Sequence, residues 1–524
     1  MTPAPSPSDG EAAAAAARAA GLPFAAQPPA LPGAELLGAL PMPWARRHLV
    51  LPVARDAAGL TVAVADPAAL GPLDDLRFLY GVPVRPLVVP AGTLRETITR
   101  AYDALHRPVA ETMDALADER LELAPAGLDE PADLLEAGDG APVIRLVNAL
   151  LFQAVRDGAS DVHVEPYERA VAVRFRVDGV LTDVLAPPVR LHAALASRVK
   201  VMAGLDVAER RLPQDGRIAL RVAGRDVDVR VSVVPTAFGE RVVLRLLDRT
   251  AALLDLAELG LAPAVAAGVE RLLGQSHGIV LVTGPTGSGK TTTLYAVLRR
   301  LATGERNVMT IEDPVEYQLR GIGQLQVNPR IGLDFAAGLR ALLRQDPDVI
   351  LVGEIRDRET AEIAMRAAMT GHLVFATLHT TDAAAAPARL LDMGVEPFLV
   401  ASSLAGVLAQ RLVRRPCAAC GVDAPAGPAE RALLGAAAPA RLRQAGPGCP
   451  ACRQTGHRGR LGIHELLVVD EPARALVMAR ADAGTLRRHA LARGMVAIRD
   501  DGLAKAAAGL TTVAEVLRAT REDG

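Results

Sequence analysis

Lysine is nearly missing from this 524-residue chain. Of 58 basic residues only Lys200, Lys290 and Lys505 are lysine; the other 55 are arginine. Aromatic residues are equally scarce at 3%, and opposite charges almost cancel, leaving a net charge of −2. A dedicated nucleic-acid binder needs a basic surface and stacking rings, so no nucleic-acid partner is expected. Half the residues are apolar, but much of that half is alanine and no run of 18 or more uncharged apolar residues occurs, so no spanning helix is expected. The N-terminus has no basic stretch followed by an apolar core, so no secretory signal is expected. Cysteine is limited to four residues, all in two C-x-x-C pairs, which disfavours a disulfide framework and points to metal and to the reducing cytoplasm.

One stretch organises what is present. The apolar run Gly278–Thr283 leads into Gly284-Pro285-Thr286-Gly287-Ser288-Gly289-Lys290-Thr291, and a helix-competent run opens at Thr292. Strand, glycine turn and helix in this order are the context a Walker A loop requires. The glycines let backbone N–H groups turn toward phosphate oxygens, and the helix start adds the positive end of its dipole. ATP is the expected ligand of Gly284 through Thr292. Lys290 is expected to reach the β- and γ-phosphates, and the Thr291 hydroxyl to sit on Mg²⁺. A chain this short of lysine still has one here, where a compact ammonium fits a backbone cradle and a planar guanidinium does not.

The chain is long enough for two to four domains. Residues 1–40 are Ala/Pro/Gly-rich and read as a mobile leader. Residues 41–106 read as a small α+β module: a short hairpin, a helix over 72–80, a strand over 82–89, and a helix over 91–105 with Leu94, Ile98 and Tyr102 on one face. Nothing in it looks catalytic, which leaves docking on a partner. Residues 107–141 read as a linker. A second α+β domain, 142–250, opens with an amphipathic helix over 143–157. Its strands follow at 161–166, 170–177, 217–222, 226–233 and 240–247, with a helix across 191–203. Arginines alternate along two of these strands. Such alternation fits a solvated sheet face or a set of guanidinium groups aimed at a neighbouring phosphate, and spacing leaves both open. A linker over 251–258 precedes a mostly parallel α/β core over 259–411.

Inside that core, the apolar strand Asn307–Ile311 ends in Glu312-Asp313-Pro314-Val315-Glu316, where a base for activating water belongs. The strand Asp348–Val352 is followed by Gly353-Glu354, in the form of a Walker B acid. His372 and His379 bracket a further apolar strand, and His379 is placed to sense the γ-phosphate. The pairs Cys417/Cys420 and Cys449/Cys452 stand 28 residues apart, a spacing suited to tetrahedral Zn²⁺ on four thiolates with no open position, hence a structural site. A redox role is the alternative. This tetracysteine module spans 412–462, and a helical region, 463–524, closes the chain.

The Walker A loop, the Glu312–Glu316 box, the Glu354 acid and the His372–His379 box, in this order, resemble the secretion ATPases of type II secretion and type IV pili. The resemblance runs from about residue 142 to the C-terminus, with a weaker match near 40–104. The wordings Ala208–Arg217, Gly239–Asp248 and Gly509–Arg518 bring it closest to the type II secretion ATPases of the general secretory pathway. The resemblance implies a RecA-like P-loop core preceded by a PAS-like α+β domain, and a zinc-binding insert of the kind that retraction-type pilus ATPases lack. It implies a homo-hexamer at the cytoplasmic face of the inner membrane, driving pseudopilus assembly and protein export. The implied partners are an L-type inner-membrane subunit, an F-type platform protein and an anionic membrane surface. By the same resemblance Arg230 and Arg245 approach the phosphates, Arg340 and Arg344 are the other arginines of the site, Glu316 activates water with Glu312 left open as the alternative, and Glu354 is the Walker B acid. The rivals are a pilus assembly motor, a nucleic-acid motor on the same core, and a scaffold that binds nucleotide without hydrolysing it.

Overall fold

The computed structural model describes residues 9–28, 32, 34–37, 40, 42–56, 59–68, 70–105, 142–222, 225–248, 254–435 and 438–521. The segment read as a linker over 107–141 lies outside them, as does part of the one read over 251–258. The chain divides into two units, Met1–Thr250 and Ala251–Gly524.

The first unit contains two sheets. In the smaller, β1 (Val50–Asp56) and β2 (Gly59–Val64) form an antiparallel hairpin, and β3 (Val84–Val88) lies parallel to β2. The helices are α1 (Asp9–Ala19), α2 (Ala34–Leu37), α3 (Met42–His48), α4 (Leu70–Tyr80) and α5 (Ala91–Leu105). Leu94 and Ile98 of α5 are fully buried among Val50, Leu60, Val62 and Leu76, as their helical spacing predicts; the Tyr102 side chain lies outside the described set. Part of the stretch read as a leader is folded: Ala17, Leu37 and Leu40 belong to this core. Alanine can bury a helix face without leaving an apolar stripe, so α1 shows no periodic signal.

The larger sheet is antiparallel in the order β6-β5-β4-β9-β8-β7, built from β4 (Ala159–Pro166), β5 (Val171–Val177), β6 (Val180–Leu185), β7 (Gln214–Val222), β8 (Arg225–Thr236) and β9 (Gly239–Asp248). The helices α6 (Pro142–Arg156) and α7 (His192–Met202) share a core with its apolar face, where Leu146, Leu150, Val164, Phe175, Leu195 and Val231 meet. β6 escaped the sequence reading. Asp178 and Gly179 take φ of 48° and 83°, which makes a two-residue hairpin turn and returns the chain as a further strand. Lys200 is fully buried and ion-paired with Glu240, and its ammonium donates to the Glu209 carbonyl at 2.6 Å.

The second unit is a seven-stranded sheet in the order β12-β11-β13-β14-β10-β15-β18. Its strands are β10 (Gly278–Thr283), β11 (Val308–Glu312), β12 (Gly323–Gln326), β13 (Val349–Val352), β14 (Leu373–Leu378), β15 (Leu404–Pro416) and β18 (His457–Val468). All neighbours pair parallel except β15 and β18. Ile279 and Leu281 enter one core cluster, and Val280 and Val282 enter another. Burial on both faces is why these strands read as unbroken apolar runs. The helices are α8 (Pro263–Leu273), α9 (Lys290–Leu301), α10 (Phe335–Leu342), α11 (Arg358–Met369), α12 (Ala385–Asp392), α13 (Pro397–Ser403), α14 (Pro428–Leu434), α15 (Glu471–Met478), α16 (Ala483–Ala492), α17 (Ile498–Ala507) and α18 (Val513–Ala519). The cysteine segment, with its small ribbon of β16 (Val422–Pro425) and β17 (Arg441–Gln444), emerges between β15 and β18. The limits read at 412 and 463 therefore fall inside strands of the core sheet. No described helix is long and apolar enough to cross a membrane.

Candidate nucleotide-binding and active site

β10 brings the glycine loop to its C-terminal end, and α9 begins at Lys290. Gly284, Gly287 and Gly289 take φ of 148°, 77° and 89°, values at which a side chain strains the backbone. Pro285, Thr286, Gly287, Thr291 and Thr292 are exposed, while Ser288 is buried. The first amides of α9 have no intrahelical acceptor, so loop and helix start together offer an anion N–H donors and a positive dipole end. The Lys290 ammonium donates to the carbonyls of Gly284 at 2.8 Å and Pro285 at 3.1 Å. Burial pulls its pKa below the ordinary lysine value, and the Glu354 carboxylate acts in the opposite direction.

Glu354 follows β13, and His379 follows β14, the strand between β13 and β10. His379 Nε2 lies 3.5 Å from Glu354 Oε2, and the other Glu354 oxygen pairs with Arg356. Arg356 also reaches Asp313 at 3.9 Å. The loop carrying His379 is tied down beside the glycine loop, because the Thr380 amide donates to Thr283 Oγ1 at 2.8 Å. His372 sits at the opposite end of β14, with Nδ1 2.9 Å from the Ala367 carbonyl at the end of α11.

The two glutamates of the acidic box differ sharply. Glu312 is the last residue of β11, 4% exposed, and accepts from Tyr295 Oη, Thr310 Oγ1 and Gln324 Nε2. Glu316 is half-buried, and its amide donates to Tyr295 Oη at 3.2 Å. Burial and Glu312 hold the Tyr295 hydroxyl protonated far above its usual range. Tyr295 therefore links the glycine-loop helix to both ends of the acidic box. Neither Tyr295 nor Arg356 stands out in the sequence; the only pointers are a tyrosine in the helix after a Walker A loop and an arginine two places after the Walker B acid.

Arg340 and Arg344 are exposed near the end of α10. Arg340 pairs with Glu359 of α11, and Arg344 donates to the Arg340 carbonyl at 2.9 Å. In the first unit Arg245 and Arg230 are cross-strand partners in a row Arg176–Asp161–Arg245–Arg230–Arg217 running over five strands. Asp161 lies 2.9 Å from Arg245 and 3.8 Å from Arg176, and Asp228 pairs with Arg217. The row thus sets four guanidinium groups side by side across the sheet, with Asp161 within it and Asp228 beside it.

The four cysteine sulfurs lie within 4.8 Å of one another. Cys417–Cys449, Cys420–Cys452 and Cys449–Cys452 are separated by 3.8, 3.7 and 3.7 Å. A tetrahedron with metal–sulfur bonds of about 2.3 Å has edges of about 3.8 Å, so the donor set fits Zn²⁺. Burial pushes the Cys452 thiol up, but amide hydrogen bonds from Cys449 and Gly456 outweigh it and bring it down to about 6.

Residues 136–518 match the family model described as type II/IV secretion system protein, and residues 20–108 match an MshEN domain. The chain is 49% identical over 494 residues to type II secretion system protein E of Pectobacterium carotovorum, covering 93% of this chain and 98% of that one. It is 53% identical over 418 residues to the type II secretion system ATPase E of Vibrio cholerae, covering 79% of this chain and 82% of that one. Among solved structures, the Yersinia pseudotuberculosis ATPase DotB shares the fold, with a TM-score of 0.54 at 21% identity over 72% of this chain and 93% of that one. The chain belongs to the type II/IV secretion system protein family, as an ATP-hydrolysing enzyme similar over nearly all its length to the type II secretion ATPases.

Proposed function

We propose that this chain is the cytoplasmic, hexameric ATPase that drives pseudopilus assembly and protein export in a type II secretion system. The observation that carries the reading is convergence: Lys290, Glu354 and His379 meet at the C-terminal ends of three neighbouring strands, beside a glycine loop that opens a helix. In this reading the loop amides and Lys290 grip the β- and γ-phosphates of ATP. The oxygen donors Thr291 and Glu354 suit Mg²⁺, which when bound supplies charge neutralisation on the phosphates. Glu316 takes a proton from water as the water oxygen bonds to the γ-phosphorus and the bridging oxygen leaves with ADP. Glu312, with three donors already committed to it, serves by holding Tyr295 and through it the backbone of Glu316. His379 reads the γ-phosphate position through Glu354.

Arg230 and Arg245 approach the phosphates, and the exposed Arg340 and Arg344 are the other arginines of the site. The cysteine cluster holds Zn²⁺ structurally. The N-terminal module docks on a membrane-embedded L-type subunit, the ring works on an F-type platform protein at the anionic inner face of the membrane, and nucleic acid is not a partner.

The test is Lys290→Ala. ATP hydrolysis by the purified variant falls to background, and cells carrying it as their sole copy retain secretion substrates inside the envelope. Wild-type turnover by the variant would end the mechanism; lost pili with intact secretion would transfer the chain to pilus assembly.

A further inference from the structure

A single amide side chain braces the glycine loop from the neighbouring strand. Gln410 lies on β15, 3% exposed, in an otherwise apolar stretch from Leu404 to Ala409. Its Nε2 donates to the Ser288 carbonyl at 2.8 Å, and its Oε1 accepts from Thr293 Oγ1 at 2.6 Å. Ser288 is inside the loop and Thr293 is in the first turns of α9, so one side chain joins the loop's exit to the helix that follows. The two bonds have opposite polarity, one donated and one accepted, and only an uncharged amide of this length supplies both. Two loop glycines are explained by the same residue. A Cβ on Gly289 would lie 2.7 Å from Gln410 Nε2, and a Cβ on Gly284 would lie 2.3 Å from the Gln410 carbonyl oxygen. Loop and strand are packed to backbone distance, with Gln410 at the contact.

The next residue holds the other side of the site. Successive side chains of a strand point to opposite faces. Arg411 donates through Nη2 to the Thr381 carbonyl at 3.1 Å, in the loop that carries His379, and through Nη1 to the Ala519 carbonyl at the end of α18. Adjacent positions on β15 thus anchor the two loops that flank the γ-phosphate position.

We infer that Gln410 is a positioning residue for nucleotide binding, which sets the phosphate loop in its anion-binding form through Ser288 and Thr293. It acts through the loop backbone at Ser288 and the hydroxyl of Thr293. The inference rests on the reading of Gly284–Thr292 as the ATP site. Losing the amide frees the loop backbone to leave that form, so affinity falls, while Glu316 and Glu354 lie outside the loop and kcat is affected less.

The experiment compares the full-length wild type with Gln410→Met, which keeps the volume and loses both bonds, and with Thr293→Val and Thr293→Ser. The dissociation constant for Mg-ADP, the KM for ATP, kcat and the melting temperature are measured on each. Gln410→Met and Thr293→Val are expected to weaken Mg-ADP and raise KM about ten-fold or more, with kcat within about three-fold, since each leaves a buried polar group without its partner. Thr293→Ser keeps the hydroxyl and behaves as wild type. The double variant Gln410→Met/Thr293→Val is no worse than Gln410→Met alone, because the one bond that Thr293→Val removes is already lost there. Unchanged nucleotide affinity in Gln410→Met overturns the inference, and so does a lowered melting temperature as its sole effect. Failure of the wild type to bind Mg-ADP would instead sink the ATP-site reading.

Discussion

The buried and half-buried glutamates of the acidic box give opposite outcomes to the same isosteric change. Glu312→Gln converts a carboxylate that accepts three hydrogen bonds into an amide with one acceptor oxygen. If the new NH₂ group takes the Oε2 place it meets the Tyr295 hydroxyl, which must then turn and accept. If it takes the Oε1 place it meets the Thr310 hydroxyl and the Gln324 amide nitrogen, which cannot accept. Either arrangement forfeits at least one hydrogen bond to a charged group, worth about 2 kcal/mol. In a unit of this size that loss lowers the melting temperature by about 4–8 °C. Turnover falls only as far as the Tyr295 tether to Glu316 slackens. Glu316→Gln keeps the amide that donates to Tyr295 and, at a half-buried position, shifts the melting temperature less than Glu312→Gln does, yet removes the base and lowers kcat about a hundred-fold or more. Scanning calorimetry and a steady-state phosphate-release assay on both variants decide the matter. Wild-type turnover in Glu316→Gln, together with an inactive Glu312→Gln of unchanged melting temperature, would refute the assignment.

Other outcomes follow from the same geometry. His464 is fully buried with neither ring nitrogen hydrogen-bonded; burial, with Lys505 adding to it, pushes its pKa down to about 3. The unfolded chain takes up a proton below pH 6.5 that the folded chain refuses until about pH 3. Stability is therefore whole above pH 6.5 and falls by up to about 1.4 kcal/mol per pH unit below it; denaturant midpoints from pH 7 to 5 should slope less in His464→Leu. Below pH 4.5 a second loss begins at Glu515, where burial acts upward but Arg414 and Arg518 outweigh it and hold the carboxyl at about 2. Elemental analysis should find one zinc per chain, lost in Cys452→Ser with a lower melting temperature; a metal-free wild type of full stability would remove the zinc reading. Deleting residues 1–105 should release the protein from membrane fractions while hydrolysis continues, and a truncated protein still bound to membranes would end the docking role.

Much of the motor could be read before the structure because its strands are buried on both faces. Ile279–Val282, Val349–Val352 and Leu373–Leu378 appear as short apolar runs, each followed by chemistry-bearing residues, and the parallel sheet explains both facts. β15 and β18 were harder to see. Their partners are more than forty residues apart in sequence, with Gln410 opposite His464, and the cysteine knuckles between them suggest a separate domain. Pairing at that distance leaves no local periodicity. Nothing local marks Gln410 either, because its partners Ser288 and Thr293 are more than a hundred residues away in sequence. Spacing does not distinguish Glu312 from Glu316, because their different hydrogen-bond surroundings exist only in three dimensions. The arginine row of the first unit was half legible: alternation showed arginines on one face, but the alignment of Arg176, Arg245, Arg230 and Arg217 depends on register.

The scarcity of lysine has a practical consequence once the three are located. Lys200 is fully buried against Glu240, and Lys505 is 8% exposed and bound to Asp501 and the Gly462 carbonyl. Lys290 alone among the side-chain amines opens toward solvent. A mild acylating or carbamylating reagent therefore has a single side-chain amine as its target, and that target is the one a bound triphosphate would shield. Mass spectrometry of a single modified peptide could follow occupancy of the motor during its cycle, with no engineered label.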